Sequence, residues 1–236
     1  MKFYSFTLAE VLITLGIIGV VSAMTMPVLI QNHQKSIVEA HLNKFYSMIN
    51  QAIINSEIDN GMKEDWWRDL TGAELDQDGN TIEGSSKSEV WFKKYIGQYI
   101  HITKIETHKN GGLIVYFPDG SALMQNNRNT TRDWIYLPVN PDRCIKKMDS
   151  QGVEAILGTC GFAYNFYPNN KSNADWKYHY QQGFEPWKYK WDGTKESLYK
   201  NCSGESSIGY KYRFCTALIQ MNNWKIPNNY PRKISY

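Results

Sequence analysis

Between Glu10 and Lys35 the sequence carries no Asp, Glu, Lys or Arg. That gap leaves the N-terminal segment without the charges that keep a helix on a water-facing surface. No cysteine precedes position 144, and the four that follow, Cys144, Cys160, Cys202 and Cys215, form no Cys-x-x-Cys pair. No His stands beside them at zinc-like spacing, which excludes the common zinc modules and thioredoxin-type redox motifs. A strong charge imbalance is missing too. The formal net charge of +3 is too small to mark a nucleic-acid binder.

Signatures of catalysis are also lacking. Gly204-Glu205-Ser206-Ser207-Ile208 misses the nucleophile elbow because Ile208 replaces the second glycine. No His-Glu-x-x-His helix, phosphate-binding loop or dinucleotide fingerprint occurs. His33, His41, His101, His108 and His179 are scattered among polar neighbours, where a solvated or hydrogen-bonded imidazole is the ordinary outcome. The expectation is a protein without catalytic residues, metal or cofactor, and not an enzyme.

What is present begins with Phe6–Pro27, FTLAEVLITLGIIGVVSAMTMP. Its length is about the 20 residues that cross a bilayer as a helix. Only Met1–Ser5 precede it, with one side-chain charge on Lys2. Glu10 stands at the entrance of the apolar run, where a carboxylate near hydrocarbon costs on the order of 2.5–3.5 kcal/mol and needs a partner. Val21-Ser22-Ala23 also offers the small-residue cut of an ordinary secretory signal, and a plain membrane anchor is a further reading.

Phe6-Thr7-Leu8-Ala9-Glu10 followed by the apolar helix resembles the class III signal of type IV pilins and type II secretion pseudopilins. The resemblance implies cleavage by a prepilin peptidase between Ser5 and Phe6, with methylation of the new Phe6 amine. It implies that Glu10 neutralises that amine on a neighbouring subunit and sets filament register. Pro27 matches the family's helix-kinking proline. The residue before the cut is usually Gly in that family, and here it is Ser5. The partners implied are the peptidase, other pilin or pseudopilin subunits, and the inner membrane during assembly. The implied location is the bacterial inner membrane, single pass with the head outside, and then a periplasmic pseudopilus or cell-surface pilus.

Beyond Pro27 the apolar residues Val38, Leu42, Phe45, Ile49 and Ala52 recur at alternating steps of four and three, with Ile53 alongside. This predicts one amphipathic helix ending near Asp59-Asn60-Gly61. The organisation expected is a leader at 1–5, a membrane and assembly helix at 6–27, its amphipathic continuation at 28–60, and a globular head at 61–236. The fold class is α+β, a long N-terminal helix packed against a head with a small antiparallel sheet. An apolar content of 42% supplies a packable core, and a charged fraction of 21% excludes a disordered charged tail.

Within the head, residues 62–86 read as a loop with an aromatic knot at Trp66-Trp67. Asp76, Asp78, Asn80 and Glu83 supply oxygens that suit calcium, but Gly79 falls at the fourth place rather than the sixth of an EF-hand loop, so a solvated turn is expected. Ser88 is a candidate cap for a short helix through Ile96. Leu113–Met124 reads as two strands around Asp119-Gly120, with further strands at 134–139 and 161–167. Thr194 is placed to cap a helix through Tyr199. Tyr212–Gln220 and Trp224–Ile226 read as a closing hairpin, and 168–193 as loop or irregular edge. In an extracytoplasmic head the four cysteines are expected to form two bridges, with four free buried thiols as the alternative. Three connectivities are possible, and the sequential one, Cys144–Cys160 with Cys202–Cys215, is expected.

Asp119-Gly120-Ser121, Cys160-Gly161-Phe162, Trp191-Asp192-Gly193-Thr194 and Cys215–Gln220 before Trp224 and Tyr230-Pro231 resemble the heads of prepilin-type secretion proteins. The chain is rich in rings, with 8 Trp and 16 Tyr. Tyr178, Tyr180, Phe184, Trp187, Tyr189 and Trp191 cluster beside Lys177, Lys188 and Lys190. Two functions follow, from different classes. One is a filament subunit. The other is a minor or tip subunit whose rings, Trp187, Tyr189 and Trp191 foremost, bind glycan, protein or nucleic acid for adhesion or DNA uptake. The competing reading is that these rings cover the core.

Overall fold

The computed structural model describes residues 7–66, 76–77, 82, 87–169, 173–206 and 208–236. Ser5 and Phe6 lie outside them, as do Trp67 and most of the calcium-like stretch, including Asp78, Gly79, Asn80 and Glu83.

Helix α1 runs unbroken from Leu8 to Asn60 and stops at Gly61, as the periodicity predicts. Pro27 sits inside it without interrupting the helical run. Its two halves differ in surroundings. From Leu8 to His33 only Ser22 is better than exposed, and Leu12, Ile13, Ile17, Ile18, Leu29 and Ile30 all stand open. From Val38 onward the predicted stripe of Val38, Leu42, Phe45, Ile49, Ala52 and Ile53 is buried. Each large apolar side chain sunk this way contributes roughly 1.5–3 kcal/mol.

The stripe packs on a six-stranded antiparallel sheet whose spatial order equals its chain order: β1 (Lys104–Thr107), β2 (Leu113–Tyr116), β3 (Ala122–Gln125), β4 (Asp133–Leu137), β5 (Phe162–Phe166) and β6 (Phe184–Pro186). The β2–β3 hairpin forms at the Asp-Gly signal. Phe117 C=O accepts from Gly120 N–H, Asp119 Oδ1 accepts from Ser121 N–H and Oγ–H, and Gly120 takes a φ of 80° that a side chain would disfavour.

Both faces of the sheet are covered, so the alternation seen in sequence separates two cores rather than core from solvent. Toward α1 point Val115, Leu123, Trp134, Tyr136, Phe162, Tyr164, Phe166 and Phe184. Phe45 of α1 stacks on Tyr136 with centroids 4.1 Å apart and meets Tyr164 edge-on at 5.1 Å. The opposite face presents smaller residues, Ile114, Ala122, Met124, Ile135, Leu137 and Ala163. They pack beneath helices α3 (Pro141–Gln151), α4 (Lys195–Ser203) and α5 (Cys215–Met221). Helix α2 (Lys87–Tyr95) adds Trp91 and Phe92 to the aromatic side. The class is α+β, as expected.

Three local expectations need correction. Residues 215–221 form a helix, not a strand of a closing hairpin, because five consecutive residues, Cys215 to Ile219, are buried between the two cores. Ser88 lies inside α2 with its hydroxyl buried and without a partner among the described residues, so it is not the cap. The stretch 168–193 contains the edge strand β6 and a 3-10 turn at Ala174–Trp176. Thr194 does cap α4, accepting from Ser197 N–H.

Candidate functional site

Two places concentrate groups whose chemistry the fold does not use up. The first is the start of α1. Thr7 is its N-cap, and its hydroxyl accepts from Glu10 N–H at 3.3 Å. Glu10 Oε2 in turn accepts from Thr7 N–H and from the Thr7 hydroxyl, both at 2.8 Å. This is a reciprocal capping box, which satisfies donors that every helix leaves open at its start. Sequence reasoning leaves Glu10 partnerless in a single subunit; the structure gives it a partner within its own helix. Both described bonds fall on one oxygen of the carboxylate.

The second place is a cleft of about 320 Å³ at one end of the sheet. It is assembled from five separate parts of the chain: Asn126 and Asn127 after β3, Arg132 and Asp133 opening β4, Trp176, then Trp187 and Tyr189 after β6, and Tyr210 with Arg213 before α5. Arg132 grips Asp133 with two parallel bonds, Nε to Oδ1 at 3.0 Å and Nη2 to Oδ2 at 2.8 Å. Its guanidinium lies 4.9 Å from the Trp176 ring centre. Asn165 Nδ2 donates to Asp133 Oδ1 from behind at 2.8 Å. This pair is internally satisfied.

Arg213 differs. Its guanidinium sits 5.6 Å from the centres of both the Trp187 and Tyr210 rings. Among the described residues it makes neither an ion pair nor a hydrogen bond. Burial lowers its pKa from the ordinary arginine value, and the Arg132 charge acts in the same direction. Nearby, His179 is wholly buried, takes Lys188 N–H on Nε2, and has its pKa pushed down to about 3 by burial, with Lys188 and Arg132 adding to the effect.

The ring-rich stretch read from the sequence is placed unevenly. Trp187 and Tyr189 line the cleft. Trp191 does not; it donates to Thr194 C=O and leans on Tyr178 at 4.6 Å. None of the six rings is exposed: Phe184 and Trp187 are buried and the other four half-buried. The exposed aromatic platform is therefore not what forms; rings packed against the core do. Arg132, Trp176, Tyr210 and Arg213 were not singled out by sequence. The signal available for them was the run Tyr210-Lys211-Tyr212-Arg213-Phe214, cations interleaved with rings.

The cysteines pair as Cys144–Cys160 and Cys202–Cys215, the sequential connectivity. Of the histidines, His108 has both ring nitrogens engaged, one by Asp149 at 3.0 Å and one by Asn110 N–H, and His41 meets Pro138 C=O at 2.6 Å. No group of three metal-ligating side chains occurs among the described residues.

The fold and these sites define a class: a chain with one N-terminal helix long and apolar enough to cross a membrane, carrying a disulfide-linked α+β head. Within that class the chain belongs to the family of unknown function DUF6613, whose profile matches residues 28–234. The match begins directly after Pro27 and so covers the buried half of α1 and nearly all of the head. No curated protein and no solved structure matches the chain.

Proposed function

We propose that this protein is a pilin-like subunit of a type IV pilus or type II secretion filament. In this reading a prepilin peptidase processes it between Ser5 and Phe6, and it assembles through the outer half of α1. The observation that carries the proposal is the division of a single helix at about residue 35. One half is consumed by the head, and the other is apolar on every side, bare, and headed by a carboxylate. An apolar surface of that kind has two solvents, lipid or copies of itself. The bilayer serves the free subunit, single pass with the head outside, where the two disulfides persist. Neighbouring helices serve the filament.

Glu10 supplies the switch between these states. In the free subunit it closes the capping box with Thr7. In the filament the same carboxylate pairs with the Phe6 amine of a neighbour, joining two charges that are each costly alone in an apolar setting. The cleft in the head favours a minor or tip subunit with a binding role over a purely structural one.

The capping box makes the test sharper. Glu10→Gln keeps a residue able to fill the third helical position of the box while removing the charge. Thr7→Val removes the cap and keeps the charge. Sheared filaments and membranes from the native host are separated and probed for the protein. Glu10→Gln is expected in membranes with an intact head but absent from filaments, and Thr7→Val in both. Wild-type recovery of Glu10→Gln in filaments would remove the charge from the mechanism.

A further inference from the structure

We propose that the cleft at Arg213 binds a carboxylated sugar unit, with the carboxylate on Arg213 and the sugar ring against the exposed side of Tyr210. This deepens the reading of the head as a binding module and is separate from filament assembly, so its failure would leave the Glu10 result untouched.

Charge is the first argument. The cleft holds two guanidinium groups and one carboxylate, and the carboxylate is spent: Asp133 is held by both arms of Arg132 and by Asn165. One positive charge is left over, on Arg213, which feels Asp133 and Glu154 at a distance but touches ring faces and has no bonded acceptor among the described residues. A cation drawn out of water without an acceptor is costly unless something supplies one. The planar fork of donors fits a carboxylate with two parallel bonds.

The walls are the second argument. Trp187 lies 5.7 Å from Tyr189 and 5.5 Å from Tyr210, and Tyr189 and Tyr210 stand 6.1 Å apart at 78° to one another. The three rings brace one another edge to face, and Tyr210, the exposed one, offers its open side to the C–H bonds of a sugar ring. Asn126 and Asn127 also line the cleft. Asn127 Oδ1 is taken by Asn129 N–H, while its amide N–H groups are left to meet hydroxyls.

Size and charge together exclude larger partners. About 320 Å³ is at the lower limit of ligand pockets and holds one such ring with its substituent. A nucleic-acid strand needs a track of cations along its phosphates. Of the neighbouring lysines, Lys188 is paired to Glu185 at 2.9 Å and Lys190 faces Asp175 at 3.6 Å.

The test uses the full chain in a polyoxyethylene detergent, whose head group carries neither charge nor sugar. Ligand-observed saturation-transfer NMR is run with methyl β-glucuronide, with its neutral analogue methyl β-glucoside, and with acetate. Binding of the glucuronide at least about tenfold tighter than either comparator is expected, the gain of one charged bidentate contact on top of the ring contact. Arg213→Gln should erase the preference for the glucuronide, and Arg213→Lys should restore part of it. Tyr210→Ala is the second variant, since that ring is 47% exposed and its loss spares the core; it should weaken both sugars. Near-UV circular dichroism confirms that each variant is folded. Equal binding of the two glycosides, acetate competing as well as the glucuronide, displacement by a single-stranded oligonucleotide, or an unchanged Arg213→Gln would each overturn the assignment. So would the absence of saturation transfer from any probe.

Discussion

Asn50 does the work of a seventh strand. Edge strand β6 has β5 on one side only, and its far edge faces α1. There the Asn50 side chain accepts from Phe184 N–H at 2.9 Å and donates to Phe184 C=O at 3.0 Å, the same two bonds a neighbouring strand would make. Phe184 is fully buried, so neither backbone group has water to fall back on. Asn50→Ala strands both. Each orphaned group costs about 1–3 kcal/mol, and the better helix propensity of alanine returns up to about 0.7 kcal/mol, for a net loss of roughly 1–5 kcal/mol. Gly183 provides a second reading of the same contact. A Cβ built there would sit 2.1 Å from Asn50 Oδ1, so Gly183→Ala is expected to destabilise by pushing the amide away. With Asn50 already alanine, that clash is gone and the nearest remaining atom is the mobile end of Ile53, 3.0 Å away. The two substitutions should therefore cost less together than the sum of their separate costs. Urea unfolding of the full chain in detergent, followed by tryptophan fluorescence, measures all four proteins. An Asn50→Ala loss below about 0.5 kcal/mol, or strict additivity with Gly183→Ala, would refute the idea that the amide closes the sheet edge.

His179 is held neutral in the fold with its pKa lowered to about 3, whereas the unfolded chain takes up a proton near pH 6.5. Below that pH the unfolded state binds the extra proton, so stability falls as pH falls from 6.5 toward 3. The slope approaches about 1.4 kcal/mol per pH unit, and His179→Gln should flatten it over that window in pH-dependent urea titrations. An unaltered slope would show that other groups carry the acid sensitivity. The disulfides should differ in reactivity. Cys144–Cys160 borders a cavity lined by Arg143, Lys147, Ser235 and Tyr236, while Cys202 and Cys215 are both fully buried. Mild reductant without denaturant, followed by alkylation and peptide mapping, should label the first pair before the second. Replacing both Cys202 and Cys215 by alanine should cost about 3 kcal/mol or more, from a loop of 13 residues.

How much of this was legible depended on whether an element keeps one wet face. Val38 to Ile53 announced themselves because α1 is striped, buried on one side only. The β2–β3 hairpin was legible through Asp119-Gly120, a turn signal that works locally. Helix α5 shows the opposite case. With Cys215 through Ile219 all buried, no polar position marks a 3.6-residue period, and a short apolar run reads equally as a strand. Helix α3 carries end signals, Pro141 at the start and Gly152 just past Gln151, but its polar interior gives no long apolar stripe between them. Strand β6 is three residues ending in proline, too short for any alternation. The cleft was legible only in part, through Trp187 and Tyr189. Its charge comes from Arg132 and Arg213, brought together by the chain entering β4 and the chain entering α5 rather than by any motif.

The strand order of the sheet has a consequence for how the chain becomes a head while it is being made. Each strand pairs with the one synthesised just before it, so the sheet can zip in a single direction, hairpin by hairpin, at a low entropic cost per step. Helix α1 is the exception. It is made first, yet Tyr46 finds Glu185 only 139 residues later. During that interval the stripe is covered in stages: Phe45 gains Tyr136 of β4, then Tyr164 of β5, and Phe184 of β6 last. Closure of β6 onto Asn50 therefore comes last, and the earliest-made helix is fixed to the sheet at its latest-made edge.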